Sequence, residues 1–199
     1  MSIIGLQTAL LAIGLKPGPV DGALGAKTMT ALLDYMTTAL VPVGLAEALA
    51  KDLPPRGINN RLRWVHFLAQ AAHETGGFRY LVELGGPTYF AKYDGRKDLG
   101  NMAPGDGARY RGRGIFQLTG RANYRTYGEA LGLPLDDQPD LASKPDVAVK
   151  VAGLYWERRN LSLAADRDDL NAITKAINGG TNGLADRANY LTKLKEVWP

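Results

Sequence analysis

The sequence predicts a mainly α-helical fold with at most a small β-hairpin. Three observations predict it. Apolar residues recur at helical spacing in one segment after another, and strand-type alternation is nearly absent. Glycine and proline, 24 and 11 of the 199 residues, cluster between those segments as turn and stop signals.

In chain order, residues 4–13 carry apolar side chains at helical spacing. The run GLKPGPVDGALG that follows is a compact turn, with Val20 and Leu24 expected to tuck inward. From Lys27 the pattern is helical again, with Met29, Leu32, Leu33 and Met36 on one face. Residues 41–57 read as a linker merging into a short helix closed by Pro54 and Pro55. Asn59 or Asn60 caps a helix over 61–75, whose core stripe is Leu62, Val65, Leu68, Ala69 and Ala72. Residues 84–114 are rich in glycine and charge and predict sparse regular structure; loops of that length in a domain tend to be functional. Helices resume over 121–131 and 145–159, the latter with Ser143 as cap and Pro145 in its first turn. A further helix is expected over 168–177, capped by Asp168 and stopped by Gly179 and Gly180, and the last over 184–197.

Composition narrows the chemistry. With 45% hydrophobic residues the chain can bury a sizeable core. There is no cysteine, which excludes disulfides and thiolate metal sites, and two histidines leave little for a zinc site. No metal or other cofactor is expected. The net charge of +4 suits an anionic partner, a cell envelope or a nucleic acid. The apolar N-terminus lacks a basic flank, is interrupted by Gln7 and Thr8, and is too short to span a bilayer. No signal peptide and no stable membrane insertion are therefore expected.

The stretch AQAAHETGGFRY places His73 and Glu74 at the end of a helix, just before Gly76 and Gly77. Helix C-termini carry partial negative charge, so a carboxylate there is destabilised. Apolar neighbours such as Phe78 would add desolvation, and both effects favour the protonated form that a general acid needs. The zinc-protease pattern fails, because Gly77 stands where a second histidine is required. Glycoside hydrolysis uses two carboxylates. The candidates for the second are Glu83 and Asp94; Asp98 and Asp106 read as turn residues. Beyond them, RYRGRGIFQLTGRANY offers a basic band of Arg109, Arg111, Arg113 and Arg121, and Tyr110 as a flat face for a sugar ring. In an extended segment, Gln117 and Thr119 would point together into a cleft. An RNA-binding reading is weak, since one short RG stretch lacks repeats and interleaved aromatics.

Together, FLAQAAHETGGF, YDGRKDLGN, PGDGARYRGRGIFQLTGRANY and AINGGTNGLADRANYL resemble glycoside hydrolase family 19, and most closely its phage endolysins, which cleave peptidoglycan. The resemblance implies a lysozyme-like, two-lobed fold with a substrate cleft over residues 41–199. It implies Glu74 as general acid, with His73 beside it. Gln117, Thr119 and Asn123 would line the cleft, Thr119 holding the attacking water, and Asn178 and Arg187 would stand on the substrate side. Glu83 is the expected base, with Asp94 as runner-up. Family members invert configuration, so the carboxyls should stand roughly 6.5–9.5 Å apart. Residues 1–40 are similar to a helical peptidoglycan-binding module, truncated here, with Asp21, Gly22, Gly25 and Thr28 in its signature turn.

The expected function is that of a monomeric muramidase acting on peptidoglycan glycan strands. It would be made in the host cytoplasm and released to the wall through a holin. A chitinase of the same family and a non-catalytic wall-binding module are the alternatives.

Overall fold

The computed structural model describes residues 2–198. Among them, eleven α-helices and three short 3-10 turns make up the regular structure. Helix α1 (Ile3–Ala12) and α2 (Ala26–Met36) enclose the glycine-rich turn. Next come α3 (Leu45–Asp52), α4 (Arg61–Glu74), the short α5 (Pro87–Ala91) and α6 (Asp106–Arg109), and α7 (Arg121–Leu131). The chain closes with α8 (Pro145–Arg158), α9 (Leu161–Asp166), α10 (Leu170–Asn178) and α11 (Leu184–Val197). β structure is limited to two isolated antiparallel bridges, Val82 with Arg113 and Arg113 with Leu118.

Helix α4 is the central element. Asn60 caps it by accepting from the Arg63 N–H at 2.9 Å. Every residue from Trp64 to Ala72 is buried, so apolar surface surrounds the helix rather than striping one face. Each large side chain buried there contributes about 1.5–3 kcal/mol. The helix stops where Gly76 and Gly77 turn left-handed, with φ of 59° and 77°. A Cβ on Gly77 would stand 2.7 Å from Thr37 Oγ1, so glycine serves packing there as well as the turn.

Two hydrophobic cores lie side by side. The larger gathers α1 to α4, α9 and α11, and the residues of α1 and α2 belong to it without a break at residue 40. The smaller gathers Tyr110, Leu118, Tyr124, Tyr127 and Leu135. Helix α8 serves both. Ala148, Val149, Ala152 and Trp156 enter the first core. Val147, Val151 and Leu154 enter the second. An aromatic chain from Trp156 through Phe67 and Phe116 to Tyr155 also spans the junction, with ring centroids 5.3–5.5 Å apart.

Three local expectations are corrected. Ser143 does not cap α8; its hydroxyl donates to the Asp140 carbonyl, and Lys144 holds the cap position. Asp168 does not cap α10. Asp169 does, accepting from the Ala172 N–H, while Asp168 lies left-handed and meets Lys195 and His66. Helix α9, which precedes it, gave no clear signal of its own. Val20 is exposed rather than tucked in; Leu24 packs against the core.

His66 on α4 is wholly buried, and its Nε2 lies 2.7 Å from Asp168 Oδ1. Burial of the ring holds its pKa below the ordinary value, against the pull of Asp168; Lys195 adds to the lowering. A histidine whose folded pKa is depressed gives stability that is complete above its unfolded value of about 6.5 and is lost as pH falls. The urea midpoint is therefore expected to drop between pH 7.5 and 5.5, above the range where carboxylates titrate. His66→Gln should flatten that slope; an unchanged slope would assign it to other groups.

Candidate active site

The end of α4 presents Glu74 with its side chain 21% exposed. Arg187 of α11, buried to 1% exposure, reaches it: Nη2 donates to Glu74 Oε1 at 2.5 Å, and Nη1 donates to Gln70 Oε1. Gln70 in turn donates to Thr174 Oγ1 of α10 at 3.1 Å. The negative helix end thus has a counterweight that the helix-terminus argument lacked, a buried guanidinium. Among the described residues Glu74 Oε2 has no protein partner, so one oxygen is held and the other is available. Arg187, expected on the substrate side, is buried and bonded to the carboxylate. His73 Nδ1 lies 2.7 Å from Asp186 Oδ2. Gly183 lets the ring settle there, since a Cβ would lie 2.1 Å from His73 Cε1.

Glu83 follows the bridge at Val82. Its N–H donates to the Gly112 carbonyl at 2.8 Å, and its Oε2 accepts from the Gly112 N–H at 2.9 Å. Oε1 accepts from the hydroxyls of Tyr93 at 2.9 Å and Tyr89 at 3.1 Å. Burial, then the Glu83 carboxylate, push the Tyr93 hydroxyl up, so it stays a proton donor. Three donors fix the orientation of this carboxylate. Neither tyrosine was singled out from sequence. The available signal was their spacing in PTYFAKYD, which sets both on one face of a helical turn just after Glu83.

Gln117 completes this side. It lies in a tight turn closed by the Arg113–Leu118 bridge, with φ of 51°, a conformation rare for a residue with a side chain. The predicted extended alternation is therefore corrected; the turn sets the side-chain directions. Gln117 Nε2 donates to the Gly114 carbonyl at 2.9 Å, which orients the amide oxygen. A Cβ on Gly112 would meet that oxygen at 2.5 Å and Glu83 Oε2 at 3.1 Å, so both acceptors converge on a glycine that nothing larger could replace.

Thr119 and Asn123 share a cavity of about 370 Å³ with Gln117, Phe116 and Tyr155. The Thr119 hydroxyl donates to the Gln117 carbonyl at 2.9 Å, leaving its lone pairs free to accept. Asn123 Nδ2 donates to the Thr119 carbonyl at 2.7 Å. Asn178, the last residue of α10, donates to the Asn182 carbonyl at 3.2 Å and closes the following turn. The Tyr155 hydroxyl donates weakly to the carbonyls of Ala176 and Ile177, just before Asn178. Burial pushes the Tyr155 hydroxyl up, against the pull of Arg159.

Other expected site residues lie elsewhere. Tyr110 offers no face to a sugar. It is buried in the second core, with its hydroxyl on the Asp136 carbonyl and carboxylate, each at 3.0 Å. Asp94 is a loop anchor whose oxygens accept from the N–H groups of Gly107 and Gly105 at 2.7 and 3.0 Å. The basic band is divided: Arg121 pairs with buried Asp106, and buried Arg113 pairs with Asp140. In the N-terminal turn, Gln7 is the hub. Its amide donates to Asp21 Oδ1, the Ala23 carbonyl and Thr28 Oγ1, and accepts from the Gly22 N–H. Gly25 precedes α2 at its cap. Among the described residues no cluster of acids and histidines could hold a metal ion.

A sequence profile described as chitinase class I, of the glycoside hydrolase 19 type, matches residues 57–170. The chain belongs to glycoside hydrolase family 19. It is a glycosidase with the lysozyme-like fold of that family. A family 19 domain-containing protein of Haemophilus influenzae is 31% identical over 179 residues, covering 76% of this chain and 88% of its own length. An endochitinase of Arabidopsis thaliana is 37% identical over 131 residues, 62% of this chain; the match spans 43% of the plant protein. Chitinase C of Streptomyces griseus superposes with a TM-score of 0.69 at 25% identity, over 88% of this chain and 76% of that one. The class IV chitinase of Zea mays shares the fold, with a TM-score of 0.64 at 21% identity, over 85% of this chain and 90% of that one.

Gly183→Ala is expected to displace His73 from Asp186 and to cost about 1–3 kcal/mol, from overpacking and a left-handed backbone. Urea unfolding measures the loss; wild-type stability would mean that the ring does not need this close approach.

Proposed function

We propose that this family 19 glycosidase hydrolyses β-1,4 bonds of bacterial peptidoglycan as a muramidase, with Glu74 as general acid and Glu83 as base. The observation that carries the catalytic part is the contrast between the two carboxyls. One oxygen of Glu74 is held by Arg187, which fixes the carboxyl, and the other is free to meet a leaving oxygen. Glu83 is clamped by three donors beside the Gln117 amide, as a water-activating carboxylate requires. In the reaction, the Glu74 proton passes to the glycosidic oxygen as its bond to the anomeric carbon breaks. Glu83 takes a proton from a water that attacks the opposite face, inverting the centre. Thr119, with lone pairs free, helps hold that water. Glu83 is preferred to Asp94 because it converges with the Gln117 amide on Gly112, whereas Asp94 anchors the loop through the N–H groups of Gly105 and Gly107.

Peptidoglycan is preferred to chitin for two reasons. The turn in the first forty residues resembles that of a wall-binding module, and the positive net charge suits an anionic envelope. Release to the wall through a holin, as an endolysin, belongs to the same proposal. Chitin is the second reading, favoured by the names of the plant and Streptomyces relatives.

Glu74→Gln is expected to lower glycan cleavage by about 10²–10⁴-fold while sacculus binding persists. Mass analysis of digested peptidoglycan, reading muramic acid at the new reducing ends, distinguishes a muramidase from a glucosaminidase. Cleavage of chitin oligomers alone would favour the second reading, and undiminished cleavage by the variant would remove Glu74 as the acid.

Tyr93→Phe is expected to lower kcat about tenfold with KM little changed, because the lost bond orients the base rather than the sugar. A change in KM alone would make the tyrosine a glycan contact.

A further inference from the structure

Besides the cavity at Gln117 and Thr119, the structure has a larger one, of about 620 Å³, bordered by the segment whose Gly112 N–H holds Glu83. Its lining includes Arg109, Arg111, Arg113, Asp137, Asp140 and Lys144. The charges do not cancel. Arg113 and Asp140 pair with each other at 2.6 Å. Arg109 and Arg111 donate only to neutral groups, the carbonyls of Asp137 and Ala108 and the Tyr110 hydroxyl. Among the described residues Lys144 has no ion pair or side-chain bond. Three cations thus face one unpaired acid, Asp137. Beneath them Arg113, 2% exposed, is fixed by the carbonyls of Arg109 and Arg111, by Tyr124 and by Asp140, while its buried Nε lacks a partner. A cavity that concentrates guanidinium groups and is open to solvent is built for carboxylates.

We propose that this cavity binds the acidic peptide stem that branches from peptidoglycan glycan strands. The inference rests on the peptidoglycan reading above and deepens it. Gly112, whose N–H holds Glu83, lies between Arg111 and Arg113, so one stretch of backbone borders both the base and the cavity. A four-residue stem on a sugar seated beside Glu83 spans roughly 13 Å when extended. Its carboxylates would meet Arg111 and Lys144 at the rim and Arg109 further along. Chitin has no such branch, so the cavity would discriminate between the two polymers by charge.

The test is titration of the full-length protein with a free acidic stem tetrapeptide, followed by backbone NMR shifts. Three further arms use the same peptide with its carboxylates amidated, a chitin oligomer, and inorganic phosphate. The acidic peptide is expected to shift residues 108–113 and 137–144, and the amidated peptide and chitin oligomer to leave them unmoved. Lys144→Glu and Arg111→Gln are each expected to weaken binding about tenfold. Lys144→Glu puts an acid at a helix N-terminus, which favours the fold, so loss of binding would not reflect unfolding. Equal binding by both variants, equal binding of the amidated peptide, or shifts confined to the Glu83 and Gln117 side would overturn the proposal. So would a response to phosphate without one to the peptide, which would assign the site to a phosphate-bearing polymer. Peptide binding is read without glycan cleavage. Cleaved sacculi with no peptide binding would sink this inference alone, and absence of wall cleavage would sink the muramidase reading alone.

Discussion

The arrangement of this protein depends on a buried cation. Arg187 enters from the last helix and binds two acceptors on α4, Gln70 and Glu74, while Gln70 passes the connection on to α10. A guanidinium removed from water must have its charge answered; here both terminal nitrogens are bonded while the buried Nε has no partner, and breaking such a pair from one side costs several kcal/mol. The need is mutual. Glu74 stands at a helix end that repels its charge, and Arg187 has no other acid within reach of its bonds. One contact therefore ties the docked α11 to the site, orients the carboxyl and selects which of its oxygens is free.

The other carboxyl is arranged on opposite terms. Glu83 is held by main chain and phenols with no cation, in a loop region that has hardly any regular structure. Order comes instead from reciprocal bonding between Glu83 and Gly112 and from the hairpin turn that carries Gln117. The left-handed backbone of Gln117 is local strain at a site that needs a fixed amide direction. Helix packing makes one half of the site, and turn chemistry makes the other.

Features whose causes are local in sequence were legible. The Asn60 cap, the Gly76–Gly77 stop and the position of Glu74 at the helix end follow from neighbouring residues, and so do α2, α7 and α11. Where a partner lies far along the chain, the reading went astray. Asp168 has the chemistry of a cap, but Lys195 and His66 claim it, and the cap moves to the next residue. Tyr110 has the shape of a sugar platform, but Asp136 draws its hydroxyl into a core. Gln7 looked like an interruption in an apolar run, yet it organises the whole turn from Asp21 to Thr28. The motif residues there satisfy one another internally, which a linear pattern cannot reveal. Tyr89 and Tyr93 escaped notice because their meaning comes from an acid that bends back toward them.

Helix α8 gives one side to each core, and the aromatic chain across the junction reinforces it. Neither half can then exist as an excised fragment, because each would lose a wall and expose apolar residues of the same rod. Any separation of the two halves would have to uncover apolar residues on both sides of that helix.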